Sequence, residues 1–175
     1  GRNRIHLLRL AHNGHRGKVS TQVASGGNVE DMRTEQLFSA ARIARMATAD
    51  QSGRPHLVPV VFTLADDTVY TCVDDKPKRT KALRRLDNIE ANSRITILVD
   101  HYEEDWENLW WVRVDGTAEI LEKGGAESER ALDALSEKYP QYALVRPPGP
   151  VIAVRNLRWH SWSGEGTASV NEELS

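Results

Sequence analysis

The sequence predicts a mainly β domain, built as an antiparallel barrel with helices on its periphery. Six or seven short runs rich in β-branched and aromatic residues follow one another at short spacing. Only three runs with helical spacing lie among them, too few for each strand to be followed by a crossover helix. The chain of 175 residues is long enough for one domain with a substantial core.

The first 33 residues differ from the rest and are interpreted as a flexible arm. They hold six Lys or Arg against two Asp or Glu, and residues 11–28 contain four Gly among mostly polar residues. Met32 directly precedes the first helical pattern, and one hypothesis is that the natural chain starts there, after an expression tag. We expect the barrel domain to span residues 34–165 and a tail to cover residues 166–175.

The elements of the barrel are predicted in order along the chain. Leu37, Ala40, Ala41 and Ala44 recur at helical spacing, which predicts a first helix from an N-cap at Thr34 to about Met46. The further expected elements are strands at 55–64 and 69–73, a helix at 80–91, strands at 94–99 and 109–121, a helix at 127–139 ended by Pro140, and a strand at 151–154 before a tryptophan-rich end.

Composition excludes several classes of protein. Lys and Arg number 23 against 25 Asp and Glu, so no overall charge attracts nucleic acid or anionic membrane. No apolar run approaches the ~18 residues that would span a bilayer, and the single cysteine, Cys72, suits a reducing compartment. We therefore expect a soluble cytoplasmic protein without a nucleic-acid or membrane partner. The carboxylate-rich residues 102–105 are interpreted as a solvated turn rather than a metal site.

A basic run, residues 76–81, carries the strongest chemical signal. It lies between a strand that ends at Val73 and the start of the next helix, and it supplies four cations and a hydroxyl. Lys and Arg neutralise a phosphate, and free N–H groups at a helix N-terminus point at it. A charge run alone is more often a solvated turn, but this position between strand and helix favours a phosphate-binding loop.

Two adjacent tryptophans indicate an apolar surface that a second subunit or a bound ring would cover. Trp110 and Trp111 lie in one predicted strand, so their side chains point to opposite faces. One can enter the core, and the other is expected to cover a subunit interface or a planar ring. Trp159 and Trp162 carry the same two interpretations.

Five segments that follow one another along the chain form a recognisable set: residues 54–60, 73–78, 83–89, 100–102 and 110–116. Taken in this order they resemble the pyridoxamine 5′-phosphate oxidase-like split β-barrel superfamily, and the resemblance covers about residues 34–163. Within the superfamily they are most similar to the actinobacterial branch that uses the deazaflavin coenzyme F420.

The resemblance implies a mainly β, FMN-binding-like split barrel that forms a homodimer with two cofactor sites at the interface. It places the cofactor phosphate on the basic run, the ring along residues 56–60 and 70–73, and a partner contribution at Trp111, Arg113 and the C-terminal aromatic region. The cofactor-binding residues expected on this basis are His56, Val58, Pro59, Val60, Thr71, Cys72, Val73, Lys76, Pro77, Lys78, Arg79, Thr80, Lys81, Trp111, Arg113 and Trp159.

The implied activity is hydride transfer from reduced F420 to an electron-poor small substrate of enone, quinone or tetrapyrrole type. Arg79, Lys78 or Arg113 would stabilise the developing anion. The proton would come from His56, Tyr70, His101 or bulk water. The oxidases of vitamin B6 have a polar residue where this chain has Trp111, which argues against pyridoxamine phosphate as the substrate.

Three alternatives remain open at the level of sequence. The first is an FMN-dependent enzyme on the same fold. The second is a protein that binds a cofactor or haem without turnover, with His56, His101 or His160 as the axial ligand. The third is a metal protein, which no His-x-x-x-His or Cys-x-x-Cys spacing supports.

Overall fold

The computed structural model describes residues 20–21, 29–73 and 84–164, and side chains from residue 32 onward within these ranges. The strands are β1 (Ser20–Thr21), β2 (Ala44–Ala49), β3 (Pro55–Val60), β4 (Thr63–Ala65), β5 (Thr68–Cys72), β6 (Arg94–His101), β7 (Trp110–Ile120) and β8 (Val151–Ser163). The helices are α1 (Val29–Ala40), α2 (Arg84–Ala91), α3 (Ala126–Lys138) and α4 (Pro140–Leu144), with a 3-10 turn at Trp106–Asn108. No helix in these ranges is long and apolar enough to cross a membrane.

Every strand pair among the described residues is antiparallel. The order across the sheet is β3-β2-β6-β7-β8-β5-β4, and β1 adds to the far part of β8. The expected mainly β, split-barrel fold with peripheral helices is therefore confirmed.

The sheet curls until its two edge strands meet at one corner. β3 and β4 lie at opposite ends of the strand order, yet only Val61 and Phe62 connect them. Three Cα–Cα steps span at most about 11 Å, so the end of one edge must lie beside the start of the other. Phe62 is fully buried at this corner.

Two hydrophobic clusters lie on opposite faces of the curled sheet. The inner cluster fills the barrel, and Phe38 of α1 closes one end by packing 4.8 Å from Phe62 and 5.2 Å from Trp159, measured between ring centroids. The second cluster lies outside, where α3 and α4 cover β5 and the first part of β8. Its members are Cys72, Leu121, Ala131, Leu132, Leu135, Tyr139, Tyr142, Val151 and Ala153.

A β-bulge divides β8 into two parts. Asp115 pairs with Arg158 and Thr117 with Arg155, so Gly116 alone on β7 faces two residues of β8. One of these two, Asn156, has a φ of 56°, a left-handed conformation that Asn tolerates better than most residues. The extra residue reverses which side chains of β8 point into the barrel.

The structure corrects three of the predicted elements. The first helix was predicted over residues 34–46, but α1 ends at Ala40 and β2 begins at Ala44. Ala and Met are strong helix formers, but Ala44, Met46 and Thr48 are buried alternately in a strand that pairs with β3 and β6.

The other two corrections concern the strand predicted at 55–64 and the length of the last strand. Residues 55–64 do not form one strand, because β3 ends at Val60 and β4 begins at Thr63 on the opposite edge of the sheet. The predicted end of the third helix before Pro140 is confirmed, since α3 ends at Lys138, and Pro140 then opens α4, where its missing N–H costs nothing. The last strand runs to Ser163 rather than to residue 154, because the bulge lets β8 continue along β7.

Candidate functional site

Half of the outer surface of the sheet is not covered by the helices of the described chain. Outward-facing side chains of β3, β2, β6, β7 and the far part of β8 form three cross-strand rows, which we call the open face. The rows are Leu57–Ala47–Thr96–Asp115–Arg158, Pro59–Arg45–Leu98–Arg113–His160 and Asp100–Trp111–Trp162. None of their apolar side chains belongs to either hydrophobic cluster, and Leu57 is 64% exposed.

A hydrogen-bonded group of polar side chains occupies the centre of the open face. Asp115 Oδ1 accepts a hydrogen bond of 2.7 Å from the Thr96 hydroxyl. Asp115 Oδ2 lies 3.3 Å from both Arg113 Nη2 and His160 Nε2. The carboxylate therefore holds a guanidinium and an imidazole side by side. The Nε–H of Arg113 is buried and has no hydrogen-bond acceptor among the described residues, so this donor is available to a ligand or a partner chain.

Two tryptophans extend this polar group along the sheet. Trp111 faces Trp162 across β7 and β8, and both are partly buried. Trp110 points to the other face, where it packs against the inner cluster and stacks on His101 with ring centroids 6.0 Å apart. The expected alternation of Trp110 and Trp111 is thus present.

The residues expected along the cofactor ring lie mainly on the inner side of β3. Val58 packs against the inner cluster and Val60 is buried, while Pro59 points to the open face. His56 also points inward, and its Nδ1 is buried without a hydrogen-bond partner in the described chain. Burial lowers the pKa of His56, and the positive charges of Arg84 and Arg85 lower it further.

The remaining predicted contacts are well buried. Thr71 is 2% exposed, and Cys72 packs under α3 in the outer cluster. Val73 is covered by the loop before β8, since a Cβ at Gly149 would lie 2.2 Å from the Val73 carbonyl oxygen. Trp159 lies in the barrel core against Phe38. Because they are buried, these side chains would support a binding site from behind rather than contact a ligand directly.

The basic run lies outside the described residues. Lys76, Pro77, Lys78, Arg79, Thr80 and Lys81 belong to the segment between Val73 and Arg84, so their role as a phosphate site stays a prediction. The flanking helix continues the same charge, because Arg84 and Arg85 open α2 and lie close enough to His56 to affect its pKa.

The structure separates the candidate proton donors. The Tyr70 hydroxyl donates to Glu127 Oε1 at 2.8 Å beneath α3, and burial together with this bond raises the pKa of Tyr70. Tyr70 pairs with Ala153, nine positions before Trp162 on β8, which is roughly 25–30 Å along a strand. Tyr70 is therefore remote from the tryptophans of the open face.

His101 is placed differently. It pairs with Glu103 at 3.1 Å near the turn between β6 and β7. Neither His101 nor Tyr70 joins the polar group that Asp115 holds.

Sequence reasoning missed Thr96, Asp115, His160 and Trp162 as one constellation. Asp115 and Arg113 stand two apart on β7, a spacing that already places them on one face. His160 joins them only because the bulge turns it outward. Among the described residues, no group of three or more His, Cys, Asp or Glu is arranged to hold a metal.

The fold and the open face define the class of protein. The curled antiparallel sheet with few, peripheral helices has the split-barrel architecture. The sequence profile of the pyridoxamine 5′-phosphate oxidase family matches residues 31–163, and the chain belongs to this family. No match is found among curated proteins.

Solved structures with the same fold differ in what they bind. HutZ, the heme storage protein of Vibrio cholerae, is 14% identical over 77% of this chain and 97% of its own, with a TM-score of 0.61. A FAD-binding protein of Mesorhizobium loti is 20% identical over 83% of this chain and 99% of its own, with a TM-score of 0.55. A heme binding protein of Mycobacterium smegmatis is 20% identical over 75% of this chain and 57% of its own, also with a TM-score of 0.55. At these identities the likeness shows the fold alone.

Proposed function

We propose that this chain is a homodimeric cytosolic oxidoreductase that binds a flavin-type cofactor at the subunit interface. The cofactor proposed is coenzyme F420, with FMN as the alternative. The bound cofactor would supply hydride transfer to an electron-poor small molecule of enone, quinone or tetrapyrrole type. Family membership and a solved structure described as a FAD-binding protein support a flavin-type ligand. The choice of F420 rests on the sequence segments that resemble the F420-using branch.

The observation that carries this proposal is the uncovered half of the sheet. Partly buried tryptophans and an exposed Leu57 on one face leave apolar surface that a second copy or a planar ring would remove from water. Of the predicted ligands, Pro59 on β3 and Trp111 and Arg113 on β7 point to the open face, and β3 and β7 lie three strands apart in one chain. A second chain packed against the open face would bring the β3 side of one subunit to the β7 side of the other at two equivalent sites.

The chain's own residues divide the tasks of binding. The basic run would hold the phosphate, and Arg84 and Arg85 add positive charge beside it. Trp111 would cover one edge of the ring and exclude water. The Nε–H of Arg113, which has no acceptor in the part of the chain that the structure describes, would donate to an anionic oxygen of the ring or of the substrate, with the guanidinium held by Asp115.

Haem binding without turnover is the second candidate. The observation in its favour is the pairing of His160 with Asp115, because a histidine that binds a metal commonly has its other ring nitrogen held by a carboxylate. Two solved structures of this fold are described as heme storage and heme binding proteins.

One titration separates these functions. Purified protein is titrated with F420, FMN, FAD and haemin while fluorescence and absorbance are followed, and its mass in solution is measured with and without ligand. F420 binding in the micromolar range by a dimer supports the proposal. Preference for FMN overturns the choice of cofactor, and a Soret shift with haemin alone supports the second candidate. No binding of any of the four overturns both.

Two variants test where the cofactor lies. Lys76→Ala combined with Lys78→Ala is expected to weaken binding by about 1.5–3 kcal/mol for each charged hydrogen bond lost. Arg113→Ala is expected to weaken it by a similar amount. Arg130→Ala serves as the matched control, because Arg130 is an exposed residue of α3 on the far side of the sheet. If the double lysine variant and Arg113→Ala bind the cofactor as tightly as the parent chain and the Arg130→Ala control do, the cofactor is placed wrongly.

A further inference from the structure

A lysine amine is buried at the barrel corner without a hydrogen-bond acceptor. Lys138 is the last residue of α3, and its Nζ is buried and has no hydrogen-bond partner among the described residues. The ammonium lies 4.0 Å from the centre of the Phe62 ring and 5.7 Å from that of Tyr139. These rings attract a cation but offer no acceptor for its three N–H groups. The charged form of Lys138 is therefore incompletely stabilised where it lies.

A second cation lies beside the same aromatic ring. The guanidinium carbon of Arg42 is 4.6 Å from the centre of the Tyr139 ring, and Arg42 Nη1 donates a hydrogen bond of 2.6 Å to the Lys138 carbonyl oxygen. Within the described ranges, no carboxylate forms an ion pair with Arg42 or Lys138. Arginine is not deprotonated in proteins, so the repulsion between the two cations can be relieved only by a change at Lys138.

The amine of Lys138 is available as a nucleophile near neutral pH. Burial, together with the positive charge of Arg42, lowers the pKa of Lys138 from 10.5 to about 8. At pH 8 about half of the Lys138 side chains are then free amines, against roughly 0.3% for a lysine with a pKa of 10.5. A free amine has the lone pair that attacks an electrophilic carbon. Lys123, the other lysine whose side chain the structure describes, is exposed and serves as the comparison.

The surroundings of Nζ select the electrophile. A large or charged acyl donor needs an exposed amine, whereas carbon dioxide is small, uncharged and apolar and suits a site bounded by the rings of Phe62 and Tyr139. Its product with an amine is a carbamate, an anion that resembles a carboxylate. A guanidinium pairs well with such an anion. Arg42 would therefore change from a repelling neighbour into a counter-ion.

We propose that Lys138 is a reversible binding site for carbon dioxide, at which the amine forms a carbamate that Arg42 stabilises. The Nζ lone pair attacks the carbon of carbon dioxide, a C–N bond forms, and the electrons of one C–O π bond move onto oxygen. One N–H proton is released to water, and neither an oxidant nor a reductant is needed. The site lies where the Tyr139 hydroxyl binds the backbone of Phe62, and it does not depend on which cofactor the protein binds.

Chemical trapping tests the modification in the full-length chain. The protein is incubated with ¹³C-labelled carbon dioxide and bicarbonate at a pH near the pKa of Lys138, and triethyloxonium then converts any carbamate into a stable ethyl ester. Mass spectrometry of the digested chain is expected to find the ¹³C label at Lys138 and not at Lys123. Absence of label at Lys138, or equal labelling of the two lysines, overturns the proposal.

Paired variants test the role of the guanidinium. Arg42→Gln is expected to lower the labelling of Lys138 at least about threefold at a fixed concentration of carbon dioxide, because it removes the counter-ion of the carbamate. Arg130→Gln is the matched control, since Arg130 is an exposed arginine of α3, and it is expected to leave the labelling unchanged. Undiminished labelling in Arg42→Gln overturns the proposal.

Thermal unfolding tests the binding without chemical trapping. Bicarbonate is expected to raise the melting temperature of the parent chain relative to chloride at equal pH and ionic strength, because the ordinary lysine of the unfolded chain stays protonated and binds little carbon dioxide. Lys138→Met has no amine at this position and is expected to melt at the same temperature in both salts. An equal rise in both proteins would be a general salt effect and would overturn the proposal. No cofactor is added, so the result is independent of the proposed oxidoreductase function.

Discussion

Replacement of Tyr139 by Phe tests how the barrel corner is held. The Tyr139 side chain is 2% exposed, and its hydroxyl accepts a 3.1 Å hydrogen bond from the backbone N–H of Phe62. The same hydroxyl lies 2.8 Å from the Phe62 carbonyl oxygen and 2.9 Å from that of Arg42, and its one proton serves one of them at a time. This single group therefore ties α3 to the connection between the two edge strands.

The expected cost follows from the donor that is left behind. In Tyr139→Phe the Phe62 N–H stays buried without an acceptor, which costs about 1–3 kcal/mol. For a domain of this size, 2 kcal/mol lowers the melting temperature by roughly 4–8 °C. We expect unchanged secondary structure and faster exchange of the Phe62 amide hydrogen, because the corner opens more readily.

Urea unfolding followed by tryptophan fluorescence measures this loss. Tyr102→Phe is the matched control, since Tyr102 is 71% exposed and its variant should change the unfolding free energy by less than about 0.5 kcal/mol. If both variants unfold at the same urea concentration as the parent, the hydroxyl does not support the corner and the reasoning is refuted.

Three further predictions concern buried charge and the bulge. Burial, aided by the charge of Arg42, lowers the pKa of Lys138 from 10.5 to about 8, and its ammonium lies 4.0 Å from the centre of the Phe62 ring. The unfolded chain then holds a proton that the folded chain has lost between pH 8 and 10.5, so stability rises with pH across that range. Lys138→Met should abolish this rise and increase the unfolding free energy at pH 7 by about 1–2 kcal/mol, less than the full shift because the side chain is only partly buried; urea melts at pH 7 and 10 check it, and an unchanged pH dependence would contradict it. Gly116→Ala should cost about 1–3 kcal/mol in thermal unfolding, because the new Cβ would lie 2.7 Å from Val154 Cγ1 and 2.9 Å from a backbone oxygen; a neutral result would mean that the bulge relaxes freely. Asn156→Val should cost about 1–2 kcal/mol because of its positive φ, whereas Asn156→Gly should be neutral or stabilising in the same assay.

The overall architecture could be predicted because it rests on local patterns. The residues of β6 alternate between buried and exposed, as Ile95, Ile97 and Val99 fill the barrel while Arg94 and Thr96 do not. The stripe of Leu132 and Leu135 on α3 likewise indicates one buried helix face. Such periodicities are properties of the backbone and are visible without any partner element.

β2 could not be recognised in this way. Ala44 and Met46 satisfy both a helical and a strand spacing, and their intrinsic preference is helical. Residues 44–49 form a strand because they pair with β3 on one side and with β6 on the other. Only tertiary structure supplies that pairing.

The same distinction between local pattern and tertiary contact applies to the candidate site. The basic run, the adjacent tryptophans and the separation of Trp110 from Trp111 are readable in the sequence, because charge and the two-residue period of a strand are local. Tyr70 is hydrogen-bonded to Glu127 beneath α3, whereas Arg113 lies beside Asp115 on an uncovered surface. This difference depends on which elements cover each part of the sheet, and the sequence does not show that.

The sequence by itself determined the fold class, the family and the chemical character of the basic run. Tertiary structure alone decided which aromatic residues of the last strand are available to a ligand. Simple alternation from Val154, whose side chain is in the barrel, would point His160 and Trp162 inward and Trp159 outward. The extra residue at Asn156 reverses this, so Trp159 packs against Phe38 while His160 reaches Asp115 on the open face. The reversal depends on a single residue with positive φ opposite Gly116, and the alternation of residue types in the sequence gives no sign of it.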